Sequence, residues 1–470
     1  MSEPLWNWTE LVTAADGIAD GTPAWPIRGL SIDTRTLHPG DVFVALRDKR
    51  DGHDFVPAAF RAGAVAAIVR GDYQRGAAAA LVRVADPLEA LTNIARIARL
   101  RSSARMVAIT GSVGKTGTKE MLSLCLSELG RTHAAEKSYN NHWGVPLTLA
   151  RLPRDTEYGV FEIGMNHPGE IRPLTQLVTP HEALITSVEP VHLGHFGSVA
   201  EIAEAKAEIL IGLVPGGTAI LPRDNAHFKL LRERANEVGA KIVTFGYHQD
   251  ADFRGLQVDL GPKGSSVIAG FGTQRFPYRL GAPGEHYVKN SLAVLACLSA
   301  LGVDIMKSLP ALARISAPAG RGARTLLETD DGQLLLIDES YNANPASVRA
   351  ALAAMATTPR DAYPRRIAVL GDMLELGDAA PELHRGLTDA IDAAGIDLVL
   401  ASGPLMRLLL EGLTPAQRGA WAPTSVELVE ALIATVRSGD VVMIKGSLGS
   451  NMAPLVAALR TRLRVARSGG

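Results

Sequence analysis

Residues 106–118 read MVAITGSVGKTGT. Met106–Thr110 is a short apolar run of the kind that forms a buried parallel strand. It passes through Gly111-Ser112-Val113-Gly114 into a segment of helical composition that opens on Lys115-Thr116. A strand, a glycine-rich turn and a helix in that order build an anion cradle. Glycine tolerates left-handed angles and close backbone approach, so successive N–H groups and the positive end of the helix dipole can face one phosphate. Lys115 then falls where an ammonium meets β- and γ-phosphates, and Thr116 where a hydroxyl can ligate magnesium. The longer form of the motif has glycine where this chain has Ile109, so the match is to the shorter T-G-x-x-G-K-T pattern, with Gly117 continuing into the helix. A bare glycine turn would account for Gly111 and Gly114 but not for Lys115-Thr116 directly after them. The expected ligand is ATP with Mg2+.

Outward from this loop, short apolar runs alternate with Ala- and Leu-rich helical stretches, the pattern of α/β units with mostly parallel sheets. A chain of 470 residues holds roughly two to four domains. Three are expected. Residues 1–85 carry strand candidates at 41–45 and 64–69 and end at Asp86-Pro87. Residues 86–316 contain a helix from Pro87 toward Arg101, the phosphate loop, strands at 160–164 and 182–188, a small antiparallel excursion at 249–280 and a helix from Val288 to Leu301. A Pro/Gly/Arg-rich hinge at 316–324 leads into residues 317–470, whose apolar strands at 334–340, 366–372, 396–402 and 440–447 predict a doubly wound, Rossmann-like sheet. Ligands of such sheets sit past the strand C-terminal ends, where Asp338, Asp372 and Lys445 fall.

The formal net charge is -1, from 48 Lys and Arg against 49 Asp and Glu, which gives no global attraction to nucleic acid or anionic membranes. The basic run RTRLRVAR near the C-terminus is read as the solvated end of a last helix. Cys125 and Cys297 are the two cysteines, both in apolar helical stretches, so a disulfide framework is not expected and a reducing compartment is. The amino terminus lacks a basic start followed by an apolar stretch, and no window approaches about 18 uninterrupted apolar residues. A soluble cytoplasmic protein, acting as a monomer, is expected.

Glu162 ends the apolar run VFEIG. A buried carboxylate is costly without a cation or hydrogen-bond donors, so it reads either as a structural ion pair or, given the phosphate loop upstream, as a magnesium ligand. His192 lies in the glycine-rich turn VHLGHFGS. By periodicity Lys206, on SVAEIAEAKAEIL, is a solvated helix residue screened by Glu204 and Glu208.

The motifs TGSVGKTGTKE (110–120), NNHWGVPLTL (140–149), FEIGMNHPGEI (161–171), VHLGHFGSVAEIAEAKAEI (191–209), GEHYVKNSLAV (284–294), DESYNANPASV (338–348), VLGDMLELG (369–377) and IKGS (444–447) occur in the order and rough spacing of the Mur ligases, which the chain resembles from Ser31 to about Met452. SIDTRTLHPGDVFVAL (31–46) resembles the family's first lobe. The resemblance implies an N-terminal nucleotide-sugar-binding domain, a central P-loop ATPase and a C-terminal Rossmann-like domain that closes over the site. It implies an ATP-dependent ligase of peptidoglycan precursor synthesis that phosphorylates the terminal carboxylate of a UDP-N-acetylmuramoyl-tripeptide and lets the amine of D-alanyl-D-alanine attack the acyl phosphate.

Carried over by residue, Thr110, Gly111, Ser112, Val113, Gly114, Lys115, Thr116 and Gly117 form the phosphate loop. Thr116 and Glu162 resemble ligands of a first magnesium, and His192 and Lys206, the lysine as its carbamate, those of a second. His286 and Asn290 resemble adenine-side contacts, and Arg321 and Asp338 contacts to phosphate and ribose. Ser31, Asp33, Thr34, Arg35, Asn140 and Asn141 resemble partners of the muramoyl nucleotide, a turn ion pair being the alternative for Asp33 and Arg35. Asn342, Asn344, Asp372 and Lys445 are candidates for the surface around the incoming amine, with turn capping and strand-end charge as the alternative. The family's Asp-Asp-Ser-Tyr run is here Asp338-Glu339-Ser340-Tyr341, and His142-Trp143 follows the Asn pair. The neighbouring reading is the ligase one step earlier, which adds a diamino acid and typically carries an Asp-Asn-Pro-Arg run that this chain lacks. A non-catalytic nucleotide-binding module is the reading from another class.

Overall fold

A computed structural model describes residues 3–74, 80–136, 138–191, 194 and 196–465. Its strands form three sheets. In the first, β1 (Ile18–Asp20), β2 (Gly29–Ser31), β3 (Asp41–Val44), β4 (Ala66–Arg70) and β5 (Leu81–Val84) take the order β1-β5-β4-β3-β2, parallel except for β1.

The second sheet holds β6 (Arg105–Thr110), β7 (Thr132–Ala134), β8 (Tyr158–Glu162), β9 (Glu182–Ile185), β10 (Thr218–Pro222), β11 (Lys241–Gly246), β12 (Phe253–Gly261), β13 (Gly264–Phe271) and β14 (Gln274–Leu280), ordered β14-β13-β12-β11-β10-β9-β6-β8-β7. Strand β6 lies between β8 and β9, so the chain leaves it first to one side and later to the other. The glycine loop therefore opens at a switch point of the sheet, where such folds place ligands. Strands β12–β14 form the antiparallel excursion expected at 249–280.

The third sheet runs β19-β18-β17-β20-β16-β15-β21, built from β15 (Ala323–Thr329), β16 (Gly332–Glu339), β17 (Arg365–Gly371), β18 (Leu398–Ser402), β19 (Arg418–Ala422), β20 (Asp440–Lys445) and β21 (Arg464–Val465). Two sequence expectations need correction. The hinge assigned to 316–324 ends sooner, because Ala323 and Arg324 already pair with Asp338 and Ile337 in an antiparallel hairpin. The basic C-terminal run is not only helix end: the last helix stops at Arg462, and Arg464–Val465 add an edge strand against Glu328 and Leu327. Leu463, partly buried against the core, marks the point where the chain turns from helix to strand.

The first and second sheets share one core. Trp6, Leu11, Leu30 and Val82 belong to the same buried cluster as Met106, Ala108, Val145 and Phe161. The helix Pro87–Leu100 runs through it, burying Ala90, Leu91, Ile94, Ala95 and Ala98; Asp86 caps it by accepting from the N–H of Leu88 and Glu89, with Pro87 at its first position. Trp6 is 1 % exposed, donates through Nε1 to the carbonyl of Ala150 at 2.9 Å, and lies under the Arg101 guanidinium at 3.5 Å. Arg101 and Arg154 both bond Glu10, and Arg151 donates to the Leu30 carbonyl. Among the described residues no helix is long and apolar enough to cross a membrane, and both cysteines are buried and unbridged.

Because Trp6 fastens the amino-terminal segment to Ala150 and Arg101, Trp6→Ala is expected to cost about 3–5 kcal/mol, the usual range for removing a buried tryptophan. Urea unfolding followed by circular dichroism measures it; an unchanged midpoint would show that the shared core does not depend on this side chain.

Candidate nucleotide and ligation site

Strand β6 delivers Thr110, whose buried hydroxyl has no hydrogen-bond partner among the described residues, into the glycine turn. Gly111 has φ +150°, and a Cβ there would collide with the Thr186 hydroxyl. Gly114 has φ +87° and caps the helix Lys115–Ser127; a Cβ there would lie 2.6 Å from Asn290 Oδ1. Both positions therefore require glycine, one for the end of β9 and one for the helix Glu285–Ala300.

Residues 112–113 are stitched to the segment that follows β9. Ser112 N–H donates to the Ser187 carbonyl at 2.9 Å, Val113 N–H to the Ser187 hydroxyl at 3.1 Å, and the Thr186 hydroxyl to the Val113 carbonyl at 2.5 Å. Ser112 Oγ donates to the Glu189 carbonyl and accepts from the Glu189 N–H. These bonds consume the amides of Ser112 and Val113. The N–H groups at the start of the helix, from Gly114 onward, have no intrahelical acceptor and are open to an anion.

Lys115 folds back to donate to the Gly111 carbonyl at 2.6 Å. Loss of hydration pushes its ammonium below the usual lysine range; the Glu162 carboxylate opposes that shift and the Arg321 guanidinium adds to it. Glu162 is 2 % exposed and makes no ion pair among the described residues. Its Oε2 accepts from the Thr116 hydroxyl at 2.9 Å and its Oε1 from the Asn140 amide at 2.7 Å. Of its two alternatives, the structural ion pair is thus absent among those residues. The oxygen pair suits magnesium: two adjacent ligands of an octahedral ion, each at about 2.1 Å, stand about 3.0 Å apart, close to the 2.9 Å between Thr116 Oγ1 and Glu162 Oε2. No cluster of three His, Cys, Asp or Glu converges among the described residues, so phosphate oxygens and water would complete such a shell.

Lys206 contradicts the periodicity reading. It is 2 % exposed on the inner face of the helix Val199–Ala207, and no hydrogen bond or ion pair of its Nζ occurs among the described residues. The carboxylates expected to screen it are engaged elsewhere: Glu204 with Arg234, and Glu208 with the N–H groups of Gly169 and Arg172. The short helix reads as exposed because Glu201 and Glu204 lie on it and Glu208 follows it, yet Ile202, Ala203 and Ala205 turn inward with Lys206. Burial, with the nearby Lys115 charge adding to it, holds the amine well below its ordinary pKa. His192 lies outside the described residues.

The third sheet brings Arg321 to this site. Its guanidinium packs 4.1 Å above the Tyr341 ring and reaches Ser138 Oγ at 3.4 Å, which is itself 3.3 Å from Thr116 Oγ1. Tyr287 donates to the Arg321 carbonyl. Asp338 is buried, accepts from Ser340 and lies 3.8 Å from Arg460. Lys445, 3 % exposed, bonds Glu339 at 3.1 Å and the Asn342 carbonyl at 3.0 Å. His286, in the first turn of its helix, is held below the usual histidine range by burial, against the pull of Glu339 and with the push of Lys445. Asn290 lies beneath Gly114 and Gly117.

Several polar side chains cap local structure. Asn344 and Ser347 form a reciprocal capping box for the helix Pro345–Ala356. Asn342 accepts from the Ala343 N–H. Asp372 accepts from the N–H of Leu405 and Met406 at the start of the helix Pro404–Gly412. Asn141 does the same for Trp143 and Gly144. In the first lobe Ser31 donates to the Asp33 carbonyl, Thr34 is half-buried beside it, and Asp33 grips Arg35 at 2.6 Å, the turn ion pair. Thr186, Ser187, Ser138, Glu339 and Tyr341 were not foreseen. Hydroxyls just past a strand's C-terminal end, as in ITSVE, were the one available signal for the first two.

Comparison with known proteins agrees with this architecture. Residues 109–298 match the Mur ligase middle domain, and residues 324–448 the Mur ligase glutamate ligase domain. The UDP-N-acetylmuramoyl-tripeptide–D-alanyl-D-alanine ligase of Synechocystis is 36 % identical over 438 residues, 92 % of each chain. Among solved structures, MurF from Acinetobacter baumannii superposes with a TM-score of 0.83 at 32 % identity, covering 97 % of this chain and 99 % of that one. MurF ligase from Thermotoga maritima in complex with ADP gives 0.73 at 25 % identity, covering 93 % and 98 %. With this likeness spanning nearly its whole length, the chain belongs to the Mur ligase family.

Proposed function

We propose that this protein is the ATP-dependent ligase that joins D-alanyl-D-alanine to a UDP-N-acetylmuramoyl-tripeptide in cytoplasmic peptidoglycan precursor synthesis. The observation that carries the reading is the amide cradle from Gly114 onward, with Lys115, Thr116 and Glu162 beside it, in a chain whose relatives bear that activity's name over nine-tenths of their length. We assign residues 1–85 to the muramoyl nucleotide, 86–316 to ATP and 317–470 to the closing Rossmann-like domain, and expect a monomer. The diamino-acid-adding ligase is not favoured, since curated relatives 36 % and 34 % identical to this chain over most of its length carry the other name.

A carboxylate is a poor electrophile, so the reaction needs a leaving group on the acid. One carboxylate oxygen of the tripeptide attacks the γ-phosphorus and ADP departs; the amine of D-alanyl-D-alanine then attacks the acyl carbon, loses its proton and expels phosphate. The N–H groups beginning at Gly114 hold the triphosphate, and Lys115 leaves the Gly111 carbonyl to meet the γ-phosphate as charge accumulates there. Arg321, steadied on Tyr341, reaches the same phosphate from the third sheet. A magnesium ion held by Thr116 and Glu162, with a second held by His192 and the Lys206 carbamate, would neutralise charge on the phosphoryl oxygens. Lys206 suits the carbamate because a buried neutral amine is the form that adds carbon dioxide, releasing a proton.

His286 and Asn290 are assigned to the adenine side, Asp338 to the ribose, and Ser31, Asp33, Thr34, Arg35 and Asn141 to the muramoyl nucleotide. Asn342, Asn344, Asp372 and Lys445 line the amine's approach. Where these side chains already cap helices, their part in binding falls to the surface they shape.

For purified protein, the two lysine variants are assayed by phosphate release that depends on both acceptor and tripeptide nucleotide, and the glycine variant by ATP binding. Lys115→Ala lowers kcat/KM by about 100-fold or more, the effect of removing one charge-stabilising group; near-normal turnover would refute its role. Lys206→Ala loses activity comparably and regains part of it with added acetate or formate, and full activity without rescue would remove Lys206 from the site. Gly111→Ala, strained at its φ by about 1–3 kcal/mol, weakens ATP binding by about tenfold or more in calorimetry; unchanged affinity would mean the turn is not the cradle.

A further inference from the structure

We propose that Asn140 is a positioning residue for the Glu162 carboxylate, holding it in the orientation that turns Oε2 toward Thr116, and that it does not contact the muramoyl nucleotide. The inference rests on reading Thr116 and Glu162 as the magnesium pair and assigns Asn140 a different part from the one the family resemblance suggests.

Glu162 emerges from β8 almost fully buried, so each of its oxygens needs a donor from the protein. Oε2 has the Thr116 hydroxyl at 2.9 Å; the donor found for Oε1 is the Asn140 amide at 2.7 Å. A carboxylate only accepts, so the NH2 end of Asn140 must face it. The asparagine is itself clamped. Its backbone carbonyl accepts from the Gly164 N–H at 2.8 Å, and its side-chain Cγ would lie 3.0 Å from a Cβ at Gly164. Gly164 thus leaves room for the amide to cross the chain just beyond β8. Asn141 is spent otherwise, on the start of the helix Gly144–Ala150.

Chemically, the amide suits this place. A cation opposite Oε1 would neutralise the carboxylate and compete with a bound ion, whereas a neutral donor leaves its full charge available. If Thr116 presents its oxygen to the ion and rotates its proton away, Oε2 becomes a free ligand while Oε1 stays tethered. Groups that orient a ligand in this way typically change metal affinity 10- to 100-fold when removed.

The test uses the full chain with a non-hydrolysable ATP analogue and Mn2+ as a spectroscopic stand-in, its binding titrated by electron paramagnetic resonance without turnover. Asn140→Ala and the bulkier Asn140→Leu both keep the backbone bond to Gly164, and either one that melts like the parent serves. Expected are a 10- to 100-fold weaker Mn2+ affinity, a matching rise in the magnesium concentration for half-maximal turnover, and a KM for the tripeptide nucleotide that stays within about twofold at saturating magnesium. Unchanged Mn2+ affinity with a raised KM for the tripeptide nucleotide would overturn the proposal in favour of a substrate contact. Glu162→Gln separates the two levels: if it abolishes Mn2+ binding while the Asn140 variants do not change it, only the positioning role fails, and if it too leaves binding intact, the magnesium reading fails with it.

Discussion

Everything at this site depends on how the loop between Thr110 and Lys115 is fastened to the end of β9. Two serines and a threonine, Ser112, Ser187 and Thr186, take up the polar groups of residues 112 and 113 and fix the turn before any ligand arrives. The fastening decides which amides remain for an anion. Since Ser112 and Val113 donate to Ser187, a phosphate held by this loop would sit further along, at the first turn of the helix, where unsatisfied N–H groups and the helix dipole act together. Asn290 closes the loop from below and Thr186 from the side, so the two glycines answer close contacts and not flexibility.

The charges around this loop are unbalanced in a way that suits its proposed substrate. Lys115 and Arg321 lie near the single carboxylate of Glu162, and Lys206 is buried within reach of the Lys115 charge with no acidic partner among the described residues. Burying unpaired cations is costly, and here the Arg321 charge pushes Lys115, and the Lys115 charge pushes Lys206, toward neutrality. A triphosphate and a carbamate would supply the missing negative charge. In the third sheet the opposite holds: Lys445 is matched by Glu339, and Arg365 grips the buried Asp440, so those charges are already satisfied within the fold. The contrast separates a surface that awaits an anion from one that is largely complete.

Much of this was legible in the sequence, because glycine spacing and apolar period act locally. The loop, the strand that feeds it, Glu162 at a strand end and the antiparallel excursion all follow from residues near one another in the chain. What sequence could not give were relations between distant segments. Lys206 reads as solvated because Glu204 and Glu208 flank it in sequence, and only packing shows that those two glutamates serve Arg234 and the Arg172 turn instead. The bonds from Ser187 to the loop, from Asn140 to Glu162 and from Arg321 to Ser138 join residues far apart in the chain. Asn344 carries a turn-capping and a substrate reading, Asp372 a strand-end-charge and a substrate reading, and the hydrogen bonds both make are caps. The edge strand Arg464–Val465 escaped notice because its partner, β15, is itself hidden behind a proline- and glycine-rich approach.

The central claim is that the cradle spends a γ-phosphate to activate a peptide carboxylate. It is tested most directly by labelling that carboxylate with 18O in the tripeptide nucleotide and following the label through one round of ligation by mass spectrometry. If the acid is phosphorylated before the amine attacks, each inorganic phosphate released carries one oxygen from the substrate. Ligated product accompanied by phosphate free of 18O would contradict the account.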